Sequence, residues 1–172
     1  QVPAARLPFG KECRELFTVP DGWHLCGSDL SGLELRCLAH FMNDKEYIDV
    51  VLDGDIHSHN AEAFGVDRDT SKTLLYAMMY GGGDWLIGSL TGGGQAKGRQ
   101  LKASFEAGVP AFARLKRNLQ TASQRGHLIG LDGRHLYLRS EHKALSQLLQ
   151  SAGAILCKTW VLYIDRELRK QY

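Results

Sequence analysis

The sequence predicts an α/β fold in which helices dominate, and three observations carry that expectation. Residues 67–80 place Arg68, Lys72, Tyr76 and Tyr80 four apart, so that each lies roughly 6 Å above the last on a 3.6-residue helix, with Leu74, Leu75, Met78 and Met79 on another side. Residues 96–124 and 145–168 repeat a helical spacing of apolar side chains. Strand signals are few and short: one over residues 24–30, bounded by turn residues, and a hairpin over residues 128–138. A chain of 172 residues that is 44% hydrophobic is enough for one ordinary domain or for parts of two.

Taken in order, residues 1–9 read as extended and residues 10–17 as a short helix before the turn Pro20-Asp21-Gly22. The strand over residues 24–30 delivers Asp29 to its end, a frequent place for metal or general-base chemistry. Ser31-Gly32-Leu33-Glu34 fits a capping box for a helix continuing through Leu35, Leu38, Ala39 and Met42, which accounts for Glu34 structurally. In Asp53-Gly54-Asp55-Ile56-His57-Ser58-His59 the clustered Asp and His residues are either metal ligands or a turn followed by a helix cap. Asp55, His57 and His59 match the start of a metal-dependent phosphoesterase, but the later Asn-His-Glu cluster expected of one is absent from the sequence.

Asp67 is the expected N-cap of the next helix, and Gly81, Gly82 and Gly83 are its stop. The stripe it carries is either a solvated basic edge or a nucleotide track. In the second reading the two cations match the length of a triphosphate, the two phenols meet a base and its sugar, and the positive end of the helix dipole favours the phosphates. The glycine-rich residues 81–98 include Leu90-Thr91-Gly92-Gly93-Gly94, with phosphate-cradle composition but without the Gly-Lys-Ser/Thr ending of a P-loop. Residues 96–124 are helical with a break at Gly108-Val109-Pro110, and Arg114, Lys116, Arg117 and Arg125 supply much of the basic charge. The turn Asp132-Gly133, flanked by Ile129, Leu131, Leu136 and Tyr137, marks the hairpin. Gln147 and Gln150 are polar positions near the start of the last helix.

Net charge is only +2, yet residues 1–96 hold 7 Lys/Arg against 14 Asp/Glu while residues 97–172 hold 14 against 5. That asymmetry suits an acidic half that holds cations and a basic half that holds a polyanion. The four cysteines, Cys13, Cys26, Cys37 and Cys157, include no CxxC pair and are expected to be reduced core residues, which excludes a disulfide framework and a zinc site. With no long apolar run and no signal-peptide pattern, the expected protein is soluble, intracellular and without a membrane partner.

Three segments in order resemble the family A (Pol I type) DNA polymerases, most closely the bacteriophage replicase branch. Asp29-Leu30-Ser31-Gly32-Leu33-Glu34-Leu35-Arg36 resembles the family's motif A. The helix with Arg68, Lys72, Tyr76, Tyr80 and Gly81 resembles its motif B, and Gln150-Ser151-Ala152-Gly153-Ala154 a third segment near the primer-template duplex. The resemblance implies a DNA-directed DNA polymerase of DNA replication, cytoplasmic in a bacterial cell. In such an enzyme a primer 3′-oxygen attacks the α-phosphorus of a dNTP with two Mg²⁺ ions stabilising the attacking and leaving oxygens.

By the same resemblance Asp29 and the carbonyl of Leu30 hold metal. Glu34 stands against the sugar's 2′ position, held by Tyr80. His57 and Arg68 meet the outer phosphates, Lys72 the reactive phosphate, and Tyr76 the sugar and base, where tyrosine goes with ready acceptance of dideoxynucleotides. Tyr80 and Gly81 border the templating base, and Gln150 and His142 touch DNA near the primer end. The implied partners are primer-template DNA and dNTP, with the remainder of the polymerase or a replisome accessory protein beyond them. Residues 1–41 and 146–172 correspond to the palm and residues 42–145 to the fingers of a right-hand polymerase. The family's second catalytic carboxylate lies in a His-Asp-Glu hairpin, and no His-Asp-Glu occurs in this sequence. The chain is therefore expected to be fingers with part of the palm, without thumb or exonuclease domain, and inactive in isolation. A non-catalytic nucleotide- or DNA-binding module is the second reading, and the metal-dependent phosphoesterase the third.

Overall fold

The computed structural model describes residues 8–138 and 140–171, which fall into two units, Gln1–Ser31 and Gly32–Tyr172. In the first unit α1 (Gly10–Glu15) follows Phe9, which sits in the left-handed region at φ 59°. The extended reading of residues 1–9 lies outside the described residues up to position 7, and Phe9 departs from it. Pro20-Asp21-Gly22 forms the expected turn, the Trp23 N–H donating to the Pro20 carbonyl at 3.0 Å with Gly22 at φ 80°. The expected strand over residues 24–30 does not form. A strand is stabilised by a neighbour that takes up its backbone hydrogen bonds, and the only sheet among the described residues is the later hairpin. Trp23 and Leu25 stay exposed accordingly.

The second unit opens with α2 (Leu33–Met42), whose N-cap is Gly32 at φ 60° with no side-chain cap. This corrects the expected capping box. Because the helix begins at Leu33, Glu34 is its second residue rather than its third, and its carboxylate is taken by a tyrosine from another helix. The next three helices start as expected of aspartate caps. Asp44 accepts from the Tyr47 amide to open α3 (Lys45–Asp53), Asp55 from the His57 and Ser58 amides to open α4 (Ile56–Phe64), and Asp67 from the Asp69 and Thr70 amides to open α5 (Arg68–Met79). Leu74, Leu75, Met78 and Met79 of α5 are buried as their spacing required.

After α5 come α6 (Asp84–Ser89), α7 (Gln95–Gly108) and α8 (Pro110–Ser123), with Pro110 supplying a ready-made first turn. Within the glycine-rich residues 81–98, Gly88 and Gly98 serve close packing. A Cβ placed on Gly98 would lie 1.8 Å from the Asp84 carbonyl oxygen, and one on Gly88 would lie 2.0 Å from that of Gly94, so α6 and α7 meet backbone to backbone. Gly98→Ala is therefore expected to destabilise the chain by about 3 kcal/mol or more, read from the urea midpoint, because the overpacked atom faces backbone that cannot rotate away.

The strands β1 (His127–Ile129) and β2 (His135–Tyr137) form the expected antiparallel hairpin, with His127 opposite Tyr137 and Gly133 at φ 82° in the turn. A 3₁₀ turn, Glu141–Lys143, leads into α9 (Ala144–Leu168). The core joins α2, α4, α5, α7, α8 and the first half of α9. At its centre Phe105 stacks on Phe64 at 4.3 Å and meets Phe112 edge-on at 5.1 Å. Of the four free cysteines Cys37 is buried, Cys13 and Cys157 are half-buried, and Cys26 is exposed, so the expectation of core cysteines holds fully for one. No described helix is long and apolar enough to cross a membrane.

Candidate functional site

Four helical positions spaced by four residues present their side chains along one face, and α5 does this with Arg68, Lys72 and Tyr76 before ending at Tyr80, its C-cap. Arg68 lies at the N-terminal end and is gripped by Asp55, whose Oδ2 accepts from Nε at 2.7 Å and Oδ1 from Nη2 at 3.2 Å. The guanidinium and the Ser58 hydroxyl, which donates to Asp55 Oδ2 at 2.8 Å, hold the Asp55 carboxyl well below the usual carboxylate range. This pairing and the helix cap occupy the carboxylate that the phosphoesterase reading assigned to a metal. Among the described residues no group of three or more His, Cys, Asp or Glu side chains is placed to hold a metal.

His57 comes to the same end of the stripe. Burial, then the charges of Lys72 and Arg68, push its imidazole below its ordinary value, against the opposing charge of Asp55. Its Nδ1 is buried with no hydrogen-bond partner among the described residues. Lys72 is exposed one turn beyond Arg68. Arg68, Lys72 and His57 thus gather at the N-terminal end of α5, where the helix dipole favours an anion.

At the opposite end the Tyr76 and Tyr80 rings stack with centroids 6.5 Å apart and planes 25° from parallel. The Tyr80 hydroxyl donates to Glu34 Oε2 at 2.5 Å, linking α5 to the start of α2. That bond, then burial and the Glu34 charge, push the Tyr80 phenol up to about 12. Burial raises Tyr76 as well, with Glu34 adding to it. Glu34, Tyr76 and Tyr80 therefore form one cluster around a fixed carboxylate.

Beyond Tyr80 the chain turns through Gly81, at φ 81°, where a Cβ would lie 2.6 Å from the His142 carbonyl oxygen. Gly81 and His142 are thus brought backbone to backbone. They border a cleft of about 510 Å³ lined also by Gly82, Lys102, Lys116 and Gln120. Lys102 donates to the Gly82 carbonyl at 2.8 Å and to Asp84 Oδ1 at 2.9 Å. Gln150 is exposed on α9, with no hydrogen bond to the stripe among the described residues. Asp29 is exposed and Leu30 half-buried, both in the first unit, and the Asp29 carboxylate has no hydrogen-bond or ion-pair partner among the described residues.

Two residues here escaped the sequence reading. Asp55 was legible as a cap but not as the partner of Arg68, 13 positions on. Lys102 carried no signal at all, being one lysine in a basic helix. Part of the basic surplus is also internally committed: Lys116 pairs with Glu106, Arg134 with Asp132, and Arg114 donates to the Met42 carbonyl.

The family model for DNA polymerase family A matches residues 1–172. The DNA-directed DNA polymerase of Enterobacteria phage T3 is 41% identical over 195 residues, covering 98% of this chain and 28% of that protein, and that of Escherichia phage T7 gives the same figures. DNA polymerase I of Chloroflexus aurantiacus is 28% identical over 188 residues, 96% of this chain and 20% of that one. The chain thus spans less than a third of the length of these relatives. Among solved structures, the POL domain of Pol1 from M. smegmatis, in complex with DNA primer-template and dNTP, has the same fold. It superposes with a TM-score of 0.81 at 21% identity, covering 99% of this chain and 34% of that one.

Proposed function

The chain belongs to DNA polymerase family A, and from that premise we propose that it is the nucleotide-selecting part of a DNA-directed DNA polymerase, working on primer-template DNA with dNTP as substrate. One observation carries the reading: a single helix presents cations at its N-terminal end and, at its other end, two stacked phenols clustered on the Glu34 carboxylate. A dNTP laid along α5 has its outer phosphates at Arg68 and His57, its reactive phosphate at Lys72, and its sugar between Tyr76 and Glu34. The exposed Asp55–Arg68 pair is screened by water, so a triphosphate of higher charge can take the guanidinium over. With Glu34 held by Tyr80, a 2′-hydroxyl meets a carboxylate that cannot swing away, which disfavours ribonucleotides.

Beyond Tyr80, Gly81 and His142 form the border past which the templating base lies, and Gln150 faces the minor groove near the primer end. Residues 1–41 and 146–172 are palm and residues 42–145 fingers. Polymerases of this family are metal-dependent enzymes. Asp29 fits a Mg²⁺ ligand: it is an exposed carboxylate without a competing partner, and the adjacent Leu30 offers its carbonyl. Mg²⁺ is commonly bound by one or two carboxylates together with substrate phosphates. When bound, the two ions neutralise charge on the attacking and leaving oxygens. The chain's own residues hold the triphosphate, orient the sugar and exclude the wrong one.

The test separates the two ends of the stripe in a full-length polymerase carrying this segment. Arg68→Ala is expected to raise KM for dNTP about tenfold or more with a smaller change in kcat, whereas Lys72→Ala lowers kcat by a similar factor, because its charge matters most as the α-phosphate reacts. Small, equal effects on both constants in steady-state primer extension would return α5 to a solvated basic edge. Nucleotide binding without any extension would leave a binding module.

A further inference from the structure

The turn that follows α5 has no side chains of its own to hold it. Gly81 donates to the Met78 carbonyl at 3.0 Å and Gly82 to that of Ala77 at 2.8 Å, which fixes the start of the turn. The Gly82 carbonyl and the carboxylate of Asp84, the first residue of α6, are both taken by the ammonium of Lys102 on α7. The Lys102 side chain is 22% exposed, less than the basic partner of any other ion pair among the described residues. The interaction holds the Asp84 carboxyl below its ordinary range.

Lys102 is also well anchored. The glycine contacts bring α6 and α7 backbone to backbone, and the two hydrogen bonds of the ammonium tie α7 to the turn. On the other side of the turn stands Tyr80, whose hydroxyl is bonded to Glu34. The chain of support runs from α7 through Lys102 to Gly82, through one glycine to Tyr80, and across to Glu34.

We propose that Lys102 is a positioning residue for sugar selection: by clamping the glycine turn it holds Tyr80 where its hydroxyl fixes the Glu34 carboxylate against the 2′ position of the incoming nucleotide. The proposal rests on the reading of α5 as a nucleotide track. It assigns Lys102 no contact with substrate, and it separates sugar selection from phosphate binding, which depends on Arg68 and Lys72 at the far end of the helix.

The measurement is the ratio of kcat/KM for a dNTP to that for the matching ribonucleotide, in a full-length polymerase carrying this segment. Lys102→Met is expected to lower that ratio about tenfold or more while KM for dNTP stays within about threefold, and Lys102→Arg, which keeps two donors, to restore most of it. In a Glu34→Ala background, Lys102→Met should change the ratio no further, since its effect passes through that carboxylate. A folded Lys102→Met enzyme with the parent ratio, or one whose effect persists undiminished without Glu34, overturns the proposal. If Lys102→Met does not fold, Lys102→Gln reads the same ratio, and an unchanged ratio there overturns it equally. Loss of the Arg68→Ala effect on KM would instead strike the reading of α5. A normal Arg68→Ala effect with an indifferent Lys102 strikes this inference alone.

Discussion

Asp29→Asn in a full-length polymerase carrying this segment is expected to slow primer extension by at least about 10³-fold, because an amide oxygen lacks the charge needed to hold a divalent ion against the developing alkoxide and phosphate charge. Affinity for primer-template DNA should stay within a few fold, since a carboxylate repels rather than attracts the phosphate backbone. Single-turnover extension and a binding titration at fixed salt measure the two quantities separately. A large loss of affinity with normal turnover would make Asp29 a residue that positions DNA. Asp29 is exposed and unpartnered among the described residues, whereas a carboxylate already bonded within the fold would have to be released before it bound metal.

The second large effect concerns Tyr76, whose half-buried ring stacks on Tyr80 and whose hydroxyl feels the Glu34 charge. Its phenol can take over polar contact near the sugar's 3′ position when a substrate lacks the 3′-hydroxyl. A full-length polymerase carrying this segment is therefore expected to incorporate dideoxy and deoxy nucleotides at similar rates. Tyr76→Phe removes that substitute and leaves neighbouring polar groups unpaired in a closed site, so preference for deoxy should rise by about 10²-fold or more. Competitive single-nucleotide incorporation by the two enzymes gives the ratio directly. An unchanged ratio would mean that Tyr76 only packs, and the track along α5 would have to be redrawn.

What could be read from the residues alone was local. Asp67, the four-residue stripe and the glycines after Tyr80 are a cap, a period and a stop, and all three act within a few positions of one another, so α5 emerges where expected. The hairpin follows in the same way from Asp132-Gly133, and the break between α7 and α8 from Pro110. The misreadings all involve partners far along the chain. Residues 24–30 have strand composition, but composition does not supply the neighbour a strand requires. Glu34 stands at capping-box spacing from Ser31, yet its carboxylate is claimed by Tyr80, 46 positions away. Gly88 and Gly98 carry no local signal of their role either, and only the approach of α6 to α7 reveals why side chains are missing there.

That approach has a mechanical consequence. Most helix pairs are separated by a layer of side chains that can change rotamer and so absorb small displacements, like a bearing. At Gly88 and Gly98 the layer is absent, and α6 and α7 form a single stiff bracket. The turn after α5 joins the bracket at Asp84, the first residue of α6. A rotation at Gly81, a residue whose positive φ lies in the region glycine visits freely, would therefore carry α6 and α7 together.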